Sequence, residues 1–472
     1  MSPADLLARI ADLIGPAHVL TDAADMAPFA VEQRRRQASH PAAVLRPADT
    51  AQVAAIAALA SAAGVPLIPQ GGNTGVVGGT VAAADKGAFL LNLGRLNRIR
   101  DLDAADYTVT AEAGCILADL QQAAQAADRY FPLSLGSEGT CQLGGNLSSN
   151  AGGILTLRYG NARDLVLGLE VVLPDGQVWN GLRRLRKDNT GYDLKHLFLG
   201  AEGTLGIITA ATLKLFPRPR QVETALIGVA SPAAAVALLA QARAGTGDLL
   251  SAFELMPRFA IDGARDLLGR DHDPLASPHP WYVLLEVASG IAGPLVRQMV
   301  ESTLSDAVES GLAQDAVLAE SGEQRRRLWQ IREGLPEIGR AIDGAVHTDI
   351  SVPISRIPDF LDRVILALAD FMPGLRPYPF GHVGDGNIHC NIARPEAMDK
   401  ASFLAHAPAI TAIIHAEVTR QGGSISAEHG IGNLKVAEMA RLKDPVELAL
   451  MQQMKALLDP AGIMNPGKLL SL

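Results

Sequence analysis

The first hydrophobic positions of the chain recur at helical spacing. Ser2 is a typical N-cap residue, Pro3 suits the first helical position, and Gly15 followed by Pro16 ends the pattern. The residues expected on the buried face are Leu6, Leu7, Ile10, Leu13 and Ile14. The sequence therefore predicts an amphipathic helix at the start of the chain.

Short strands and helices alternate through the rest of the chain. In the first half the pattern predicts a strand at 43–45, a helix at 50–63 ended by Gly64, a strand at 65–68, and a hairpin at 169–179 that turns at Asp175-Gly176. In the second half, strands at 223–229, 250–255 and 281–287 alternate with helices at 232–243, 258–268 and 294–311. The second alternation suits an antiparallel sheet with helices on one face, so the fold class is predicted as α+β.

Three stretches rich in glycine and small residues interrupt these elements. Residues 69–79 follow an apolar strand, and their glycines allow successive N–H groups to point inward as an anion nest suited to a pyrophosphate. Residues 132–153 can pack their backbone against a flat ring system, and residues 200–208 open a strand that ends near Leu215. An ordinary flexible turn is the alternative for any one of these stretches alone.

A second group of residues suggests a metal site. Asp385-Gly386 is a type I′ turn signal, which would place His382 directly opposite His389 with Cβ atoms about 4.5 to 5.5 Å apart. Downstream, Glu428 and His429 lie in a glycine-rich bend. Two imidazoles and one carboxylate make a divalent-metal ligand set with an open position. The alternative is that these are hydrogen-bonded core histidines.

Composition excludes several classes of protein. A length of 472 residues suggests two or three domains, and 48% hydrophobic against 19% charged residues excludes disorder. The net charge of −9 argues against a nucleic-acid surface, and the basic clusters at 34–36 and 325–327 are interpreted as solvated faces. Cys115, Cys141 and Cys390 are too few for a disulfide framework, which fits a reducing cytoplasm. Without a signal peptide or a transmembrane run, a soluble cytoplasmic protein is expected.

The glycine stretches do not follow the common nucleotide-binding motifs. Neither Gly-x-Gly-x-x-Gly nor Gly-x-x-x-x-Gly-Lys-Ser/Thr occurs in the sequence, and His-Glu-x-x-His and Gly-x-Ser-x-Gly are also absent. The sequence therefore disfavours a Rossmann site and a P-loop, and a phosphate-bearing ligand would be held by another fold.

Seven motifs in order carry a resemblance to a known family. PQGGNTGVVGG, SEGTCQLGGNLSSNAGG, LRKDNTGYDLK and GAEGTLGIIT resemble the FAD-binding domain of the vanillyl-alcohol oxidase and p-cresol methylhydroxylase superfamily. GHVGDGNIHCN, SAEHGIGNLK and the C-terminal DPAGIMNPGK resemble the branch that holds D-lactate and D-2-hydroxyglutarate dehydrogenases. The resemblance covers about residues 40–472.

This resemblance implies a domain organisation. An N-terminal helical segment, 1–37, would precede a two-lobed FAD-binding domain at 38–218. A ferredoxin-like cap domain for the substrate would follow at 219–425, and a helical C-terminal segment, 426–472, would return to the FAD-binding domain.

The resemblance also implies the site residues. FAD would be held, without a covalent bond because residues 70–79 contain no His or Cys, by Pro69, Gln70, Gly71, Gly72, Asn73, Thr74, Gly78, Gly79, Leu135, Gly136, Ser137, Thr140, Gly144, Gly145, Ser149, Asn150, Gly152, Gly153, Glu202, Gly206, Ile207, Ile208 and Asn465. A divalent ion would bind His382, His389 and Glu428; zinc is favoured, although Mn²⁺, Fe²⁺ and Co²⁺ suit these ligand types equally. His429 would be the base, and Arg332, His347 and Asn391 would bind the substrate.

Two departures from the family pattern touch the substrate pocket. His347 stands where the family commonly has a lysine, and Pro336 stands where the hydroxyglutarate enzymes have a threonine. A D-2-hydroxy acid is expected, with D-2-hydroxyglutarate favoured and D-lactate or glycolate as alternatives. A flavin oxidase and a non-catalytic flavin subunit are further alternatives. The expected partners are an electron acceptor, such as an electron-transfer flavoprotein, a cytochrome or a quinone, and a second copy of the chain in a homodimer.

Overall fold

The computed structural model describes residues 2–31, 37–84, 87–268 and 273–471, and the side chains of 267–268 are not described. The basic cluster predicted at 34–36 lies outside these residues. The described chain mixes helix and sheet, as predicted. None of its described helices is long and apolar enough to cross a membrane.

The helices are numbered in chain order. They are α1 Pro3–Ile14, α2 Ala23–Ala30, α3 Thr50–Ala63, α4 Leu117–Ala126, α5 Leu143–Ser148, α6 Thr156–Tyr159, α7 Lys195–Phe198, α8 Pro232–Thr246, α9 Arg258–Leu268, α10 Leu295–Glu309, α11 Gly322–Glu333, α12 Leu335–Ala341, α13 Ile357–Phe371, α14 Lys400–Ala405, α15 Ala407–Arg420, α16 Val436–Leu442 and α17 Pro445–Leu458.

The strands are numbered in the same way. They are β1 Val19–Leu20, β2 Ala43–Leu45, β3 Leu67–Gln70, β4 Phe89–Asn92, β5 Ile99–Asp103, β6 Thr108–Glu112, β7 Arg129–Tyr130, β8 Val166–Val172, β9 Val178–Gly181, β10 Ile207–Lys214, β11 Phe216–Pro217, β12 Gln221–Val229, β13 Leu250–Pro257, β14 Trp281–Ser289, β15 Asp315–Leu318, β16 Ala345–Val346, β17 Ile350–Ser351, β18 Arg376–Pro377, β19 Gly381–His382, β20 Asn387–Ile388 and β21 Ile392–Ala393.

The chain divides into two compact units. The first, called the cradle unit here, contains residues 1–152, 160–218 and 428–472, and the second, called the cap unit, contains residues 153–159 and 219–427. The domain boundaries that the resemblance implies stay predictions.

Two sheets build the cradle unit. One has the order β1-β2-β4-β3, with β2, β4 and β3 parallel, and the other is antiparallel with the order β5-β6-β10-β8-β9. α1 and α3 pack on the first sheet through one apolar cluster that also contains Met464. Met464 forms an isolated bridge with Leu67, the first residue of β3, so the C-terminal residues lie against the edge of this sheet.

The N-terminal predictions are confirmed except in two details. Ser2 caps α1, α3 runs over the predicted residues, and Gly64 ends it with a left-handed φ of 65°. Leu13 is 43% exposed, whereas Leu6, Ile10 and Ile14 are buried and Leu7 packs partly against the same cluster. The strand predicted at 65–68 is β3, Leu67–Gln70, because the N–H of Val65 still bonds to Ala60 in the last turn of α3.

An antiparallel sheet forms the centre of the cap unit. Its order is β15-β12-β14-β13-β19, and β12 pairs with β14 in continuous register from Gln221 to Val229. The helices predicted after β12 and β13 are α8 and α9, as expected. The basic cluster 325–327 lies on α11, where Arg326 and Arg327 are mostly exposed and pair with Glu323, which agrees with a solvated face.

Candidate active site

The first glycine stretch of the cradle unit offers a row of hydrogen-bond donors. Within the described residues, no backbone N–H from 71 to 79 donates to a protein acceptor. Asn73 and Gly78 adopt left-handed backbone conformations, with φ of 54° and 72°. Such a row, following directly on β3, is compatible with an anion nest, which stays a prediction.

The second glycine stretch packs directly against the first. A Cβ on Gly72 would lie 2.2 Å from the carbonyl oxygen of Thr140, and one on Gly144 would lie 2.7 Å from the Cβ of Ala113. Glycine is required at Gly72 by the approach of a backbone oxygen and at Gly144 by the approach of the Cβ of Ala113. A Cβ on Gly145 would meet no atom within 4 Å, so the start of α5 is open on that side.

Asn465 closes the cradle from the C-terminal segment. Its Nδ2 donates to the carbonyl oxygens of Gly79 at 3.0 Å and Glu202 at 2.8 Å. Its Oδ1 is buried and has no hydrogen-bond partner among the described residues. A buried acceptor beside a row of open donors fits a large ligand that carries phosphates and a polar ring, as FAD does.

Several residues predicted to bind the cofactor use their side chains within the protein. Asn73 Nδ2 donates to Val31 O and its Oδ1 accepts from Thr80 Oγ1, Gln70 bonds to Phe29 O, and Asn150 Oδ1 accepts from the N–H of Arg163. Any contact of Gln70 and Asn73 with a cofactor is therefore expected through the backbone, whereas Asn150 keeps its Nδ2 for a contact. Of the predicted cofactor residues, Gly153 belongs to the cap unit.

The predicted hairpin register around the histidines is wrong. Phe380, not His382, pairs with His389, because residues 383–386 form a four-residue turn in which the N–H groups of Asp385 and Gly386 both donate to His382 O. Gly386 has a φ of 90°, and a Cβ there would lie 2.4 Å from Val352 O. The observed pairing differs from the predicted one by two residues. A shift of two residues leaves each side chain on the same face of its strand.

The two imidazoles are nevertheless neighbours in the cap unit. The ring centroids of His382 and His389 are 5.8 Å apart and the rings are nearly perpendicular. Both side chains are largely buried, with 8% and 13% of their surface exposed.

Glu254, at the centre of β13, orients one of these imidazoles. Its Oε1 lies 2.6 Å from His382 Nδ1 and its Oε2 accepts from Arg332 Nε at 2.6 Å. Burial raises the pKa of Glu254, but the charges of His382 and Arg332 outweigh it and hold the pKa at about 2. The carboxylate is therefore ionised and His382 donates through Nδ1, which leaves Nε2 as the nitrogen that can ligate a metal.

Asp349 stands beside the other imidazole. Its Oδ1 lies 3.9 Å from His389 Nδ1 and accepts from Asn387 Nδ2 at 2.9 Å. Asp349 is buried between β16 and β17, and Asn387 in turn donates to Ile350 O. Each imidazole thus has a buried carboxylate on its Nδ1 side, an arrangement typical of metal-ligating histidines.

The predicted substrate residues differ in their exposure. Arg332 is buried beneath the ring of Phe380, and its two terminal nitrogens have no partner among the residues that the structure describes. Asn391 is buried, and its Oδ1 accepts from the N–H of Thr348, so its Nδ2 is turned away from that bond. His347 is exposed and lies beside Gly339 of α12. Pro336 is the second residue of the same helix.

Glu428 and His429 lie in the cradle unit. His429 Nε2 is 3.8 Å from Glu428 Oε1, and 28% of the His429 side chain and 21% of the Glu428 side chain are exposed. Glu428 directly follows residues 424–427 in the sequence. Within that segment, Ser424 exchanges two backbone hydrogen bonds with Ser351 of β17.

Sequence reasoning gave no role to Glu254 or Asp349. The signal for Glu254 is a single charge inside the apolar strand Leu250–Pro257. The sequence carries no comparable signal for Asp349. The histidine partners of Glu254 and Asp349 lie 128 and 40 residues away, which the sequence does not show.

Two family models together match most of the chain. A model described as "FAD linked oxidases, C-terminal domain" matches residues 218–469, and one described as "FAD binding domain" matches residues 41–181. The chain belongs to the FAD-linked oxidases. The predicted family and the predicted FAD cofactor are confirmed at this level.

Individual relatives agree with this assignment. A D-2-hydroxyglutarate dehydrogenase of Arabidopsis thaliana, named as mitochondrial, is 38% identical over 427 residues, which are 90% of this chain and 74% of that protein. A D-2-hydroxyglutarate dehydrogenase of Xanthomonas citri pv. viticola is 37% identical over 449 residues, 95% of this chain and 93% of that protein. The solved structure of p-cresol methylhydroxylase with substrate bound superposes with a TM-score of 0.75 at 17% identity, over 98% of this chain and 96% of that one, which confirms the fold.

Proposed function

We propose that this FAD-linked oxidase is a dehydrogenase that oxidises a D-2-hydroxy acid, with D-2-hydroxyglutarate favoured, to the 2-oxo acid. The names of its relatives support the reaction class. The observation that carries the site is the pair His382 and His389, which are 5.8 Å apart between ring centroids and each backed by a buried carboxylate.

The ligand set of the proposal is His382 and His389 with Glu428, and the residues fit a divalent ion by their donor chemistry. Two imidazoles and one carboxylate leave an open coordination position, and zinc is favoured. When bound, the ion supplies positive charge for a hydroxyl that loses its proton, and FAD, held without a covalent bond, supplies the acceptor of a hydride.

The proposed base is His429. The reaction removes two hydrogens from the substrate: the hydroxyl proton goes to a ring nitrogen of His429, and the C2 hydrogen leaves with its electron pair as a hydride. A neutral imidazole suits the first role because its ordinary pKa lies near neutrality.

Arg332 and Asn391 are proposed to hold the substrate carboxylate. The Nε of Arg332 donates a hydrogen bond to Glu254. This bond fixes the plane of the guanidinium and directs the two terminal nitrogens away from Glu254. Asn391 adds an amide donor, since its Oδ1 is already occupied by Thr348. His347 is proposed to face the distal end of the substrate.

A monocarboxylate such as D-lactate is the second candidate substrate. The observation that favours it is His347, which is exposed and stands where the family commonly has a lysine. An imidazole is mostly neutral at pH 7, so it attracts a second carboxylate less strongly than an ammonium group does. The electron acceptor, the homodimer and the cytoplasmic location remain predictions.

Anaerobic absorbance spectroscopy of the purified flavoprotein tests the proposal. D-2-hydroxyglutarate, D-lactate, glycolate and L-2-hydroxyglutarate are added in turn, and the flavin bands are expected to bleach with a D-acid and to persist with the L-acid. His429→Asn should bind FAD and bleach at least about 10²-fold more slowly, whereas the control His196→Asn, at an exposed site of the cradle unit, should match the wild type. Flavin that no hydroxy acid reduces would contradict the proposed function.

The same samples separate the two remaining alternatives. A flavin oxidase would consume oxygen at the rate of turnover when air is admitted, whereas a dehydrogenase would turn over with a redox dye. A non-catalytic flavin subunit would bleach with none of the acids.

A further inference from the structure

Glu202 combines a left-handed backbone conformation with a half-buried carboxylate, both oxygens of which accept hydrogen bonds. Its φ of 52° lies in the left-handed region, which is strained for a residue with a side chain. Its Oε1 accepts from the N–H of Ile431 and its Oε2 from the N–H of Gly432, each at 2.7 Å. Hydrogen bonds to a carboxylate are among the stronger ones in proteins.

The loop that binds this carboxylate is shaped for it. Gly430 and Gly432 have φ of 79° and 53°, so that successive N–H groups point to one side as an anion nest. A Cβ on Gly430 would lie 2.9 Å from Glu202 Oε1, and one on Gly432 would lie 2.0 Å from Val77 O. Glycine at these positions is therefore required by the approach of Glu202 and of the first glycine stretch.

The same contacts join the loop to the cofactor cradle. The N–H of Asn433 donates to Val77 O, and Asn465 Nδ2 bonds to both Gly79 O and Glu202 O. His429 directly precedes Gly430, so the position of its imidazole depends on how this loop is held.

We propose that Glu202 is a positioning residue for His429: its carboxylate fixes the loop 430–432 against the cofactor cradle and so sets the place of the base relative to the flavin. The role of His429 in this proposal rests on the proposed function. Glu202 was predicted to bind the cofactor, and the proposal gives its side chain the loop as its partner instead. Small displacements of a catalytic group cost large factors in rate, about 10²-fold for about 1 Å.

Glu202→Gln tests the proposal, because the amide keeps the shape but retains only one acceptor for two N–H donors. Glu170→Gln is the matched control: it is a buried carboxylate of the same unit that accepts from Thr50, Thr209 and Arg100. Measured for each variant are the FAD content, the hydrogen exchange of the peptide spanning 428–434, and the kcat and KM of D-2-hydroxyglutarate oxidation with a redox dye.

The expected result is that Glu202→Gln keeps its FAD, exchanges the 431 and 432 amides faster, and loses about 10²-fold in kcat with KM within threefold of wild type, while Glu170→Gln changes none of these. Unchanged exchange or unchanged kcat would overturn the proposal, and so would loss of FAD, which would make Glu202 a cofactor ligand. If the wild type oxidised no hydroxy acid, the proposed function would fail, and the exchange result would still decide whether Glu202 holds the loop.

Discussion

Glu254 Oε1 lies 2.6 Å from His382 Nδ1, although the two residues are 128 positions apart in the sequence. β13 and β19 are neighbours in the cap sheet, and Glu254 is paired with His382 in their register. The antiparallel sheet thus places an ionised carboxylate behind a candidate metal ligand, and the same carboxylate holds Arg332.

Removal of the charge of Glu254 is expected to weaken metal binding. In Glu254→Gln, His382 loses the acceptor that fixes its tautomer, so affinity for Zn²⁺ should fall about 10- to 100-fold by calorimetric titration. Glu286→Gln is the control, since Glu286 is a buried carboxylate of the same sheet bonded to Trp329, Arg325 and Thr224. Equal affinities in Glu254→Gln and wild type would rule out this role for Glu254.

The depressed pKa of Glu254 predicts acid sensitivity of the metal-free protein. Because the pKa falls from 4.5 to about 2 on folding, the stabilisation from the ionised carboxylate is complete above about pH 4.5 and is lost as the pH falls towards 2. At 1.36 kcal/mol per pKa unit, it is on the order of 3 kcal/mol. Urea unfolding of chelated protein between pH 3 and 7 should show this slope in wild type and a shallower one in Glu254→Gln; parallel curves would refute the assignment.

Gly72 should be essential to the cofactor cradle. Gly72→Ala would place a methyl group 2.2 Å from Thr140 O, a backbone atom that cannot move aside alone. The two glycine stretches would separate, and most of the FAD should be absent from the purified variant by absorbance. Gly322→Ala, at the start of α11 and outside the glycine stretches, is the control, because its Cβ would meet no atom within 4 Å. Full FAD content in Gly72→Ala would show that the two stretches need not touch.

Arg332→Lys tests the carboxylate contact while it keeps the charge beside Glu254. A lysine cannot offer the guanidinium fork, and loss of a charged hydrogen bond of about 1.5–3 kcal/mol corresponds to a rise in KM of about 10- to 100-fold. Arg325→Lys, at a half-exposed partner of Glu286, should leave KM unchanged. An unaltered KM in Arg332→Lys would remove Arg332 from the substrate site.

The local parts of the fold were predictable from the sequence. Caps and hydrophobic spacing are local signals, so α1, α3, α8 and α9 fall where they were expected. The glycine stretch 69–79 was predicted to be an anion nest from its composition and its place after an apolar strand; the N–H groups of 71–79 have no acceptor among the described residues, and the nest stays a prediction.

The non-local parts were not predictable. The type I′ signal at Asp385-Gly386 implied a hairpin with a two-residue loop. Glycine is instead required at position 386 by the approach of Val352 O, from a segment 34 residues earlier. Glu202 was assigned to the cofactor through the family resemblance, whereas the partners of its carboxylate are the N–H groups of Ile431 and Gly432. In each case the deciding contact comes from a distant part of the chain.

Rapid mixing of the flavoprotein with D-2-hydroxyglutarate under anaerobic conditions, before and after removal of metal by a chelator, tests the central claim most directly. The chelated protein should keep its FAD and its flavin should no longer be reduced, and one equivalent of Zn²⁺ should restore reduction in wild type but not in His382→Asn. Reduction at the full rate in protein shown to be free of metal would contradict it.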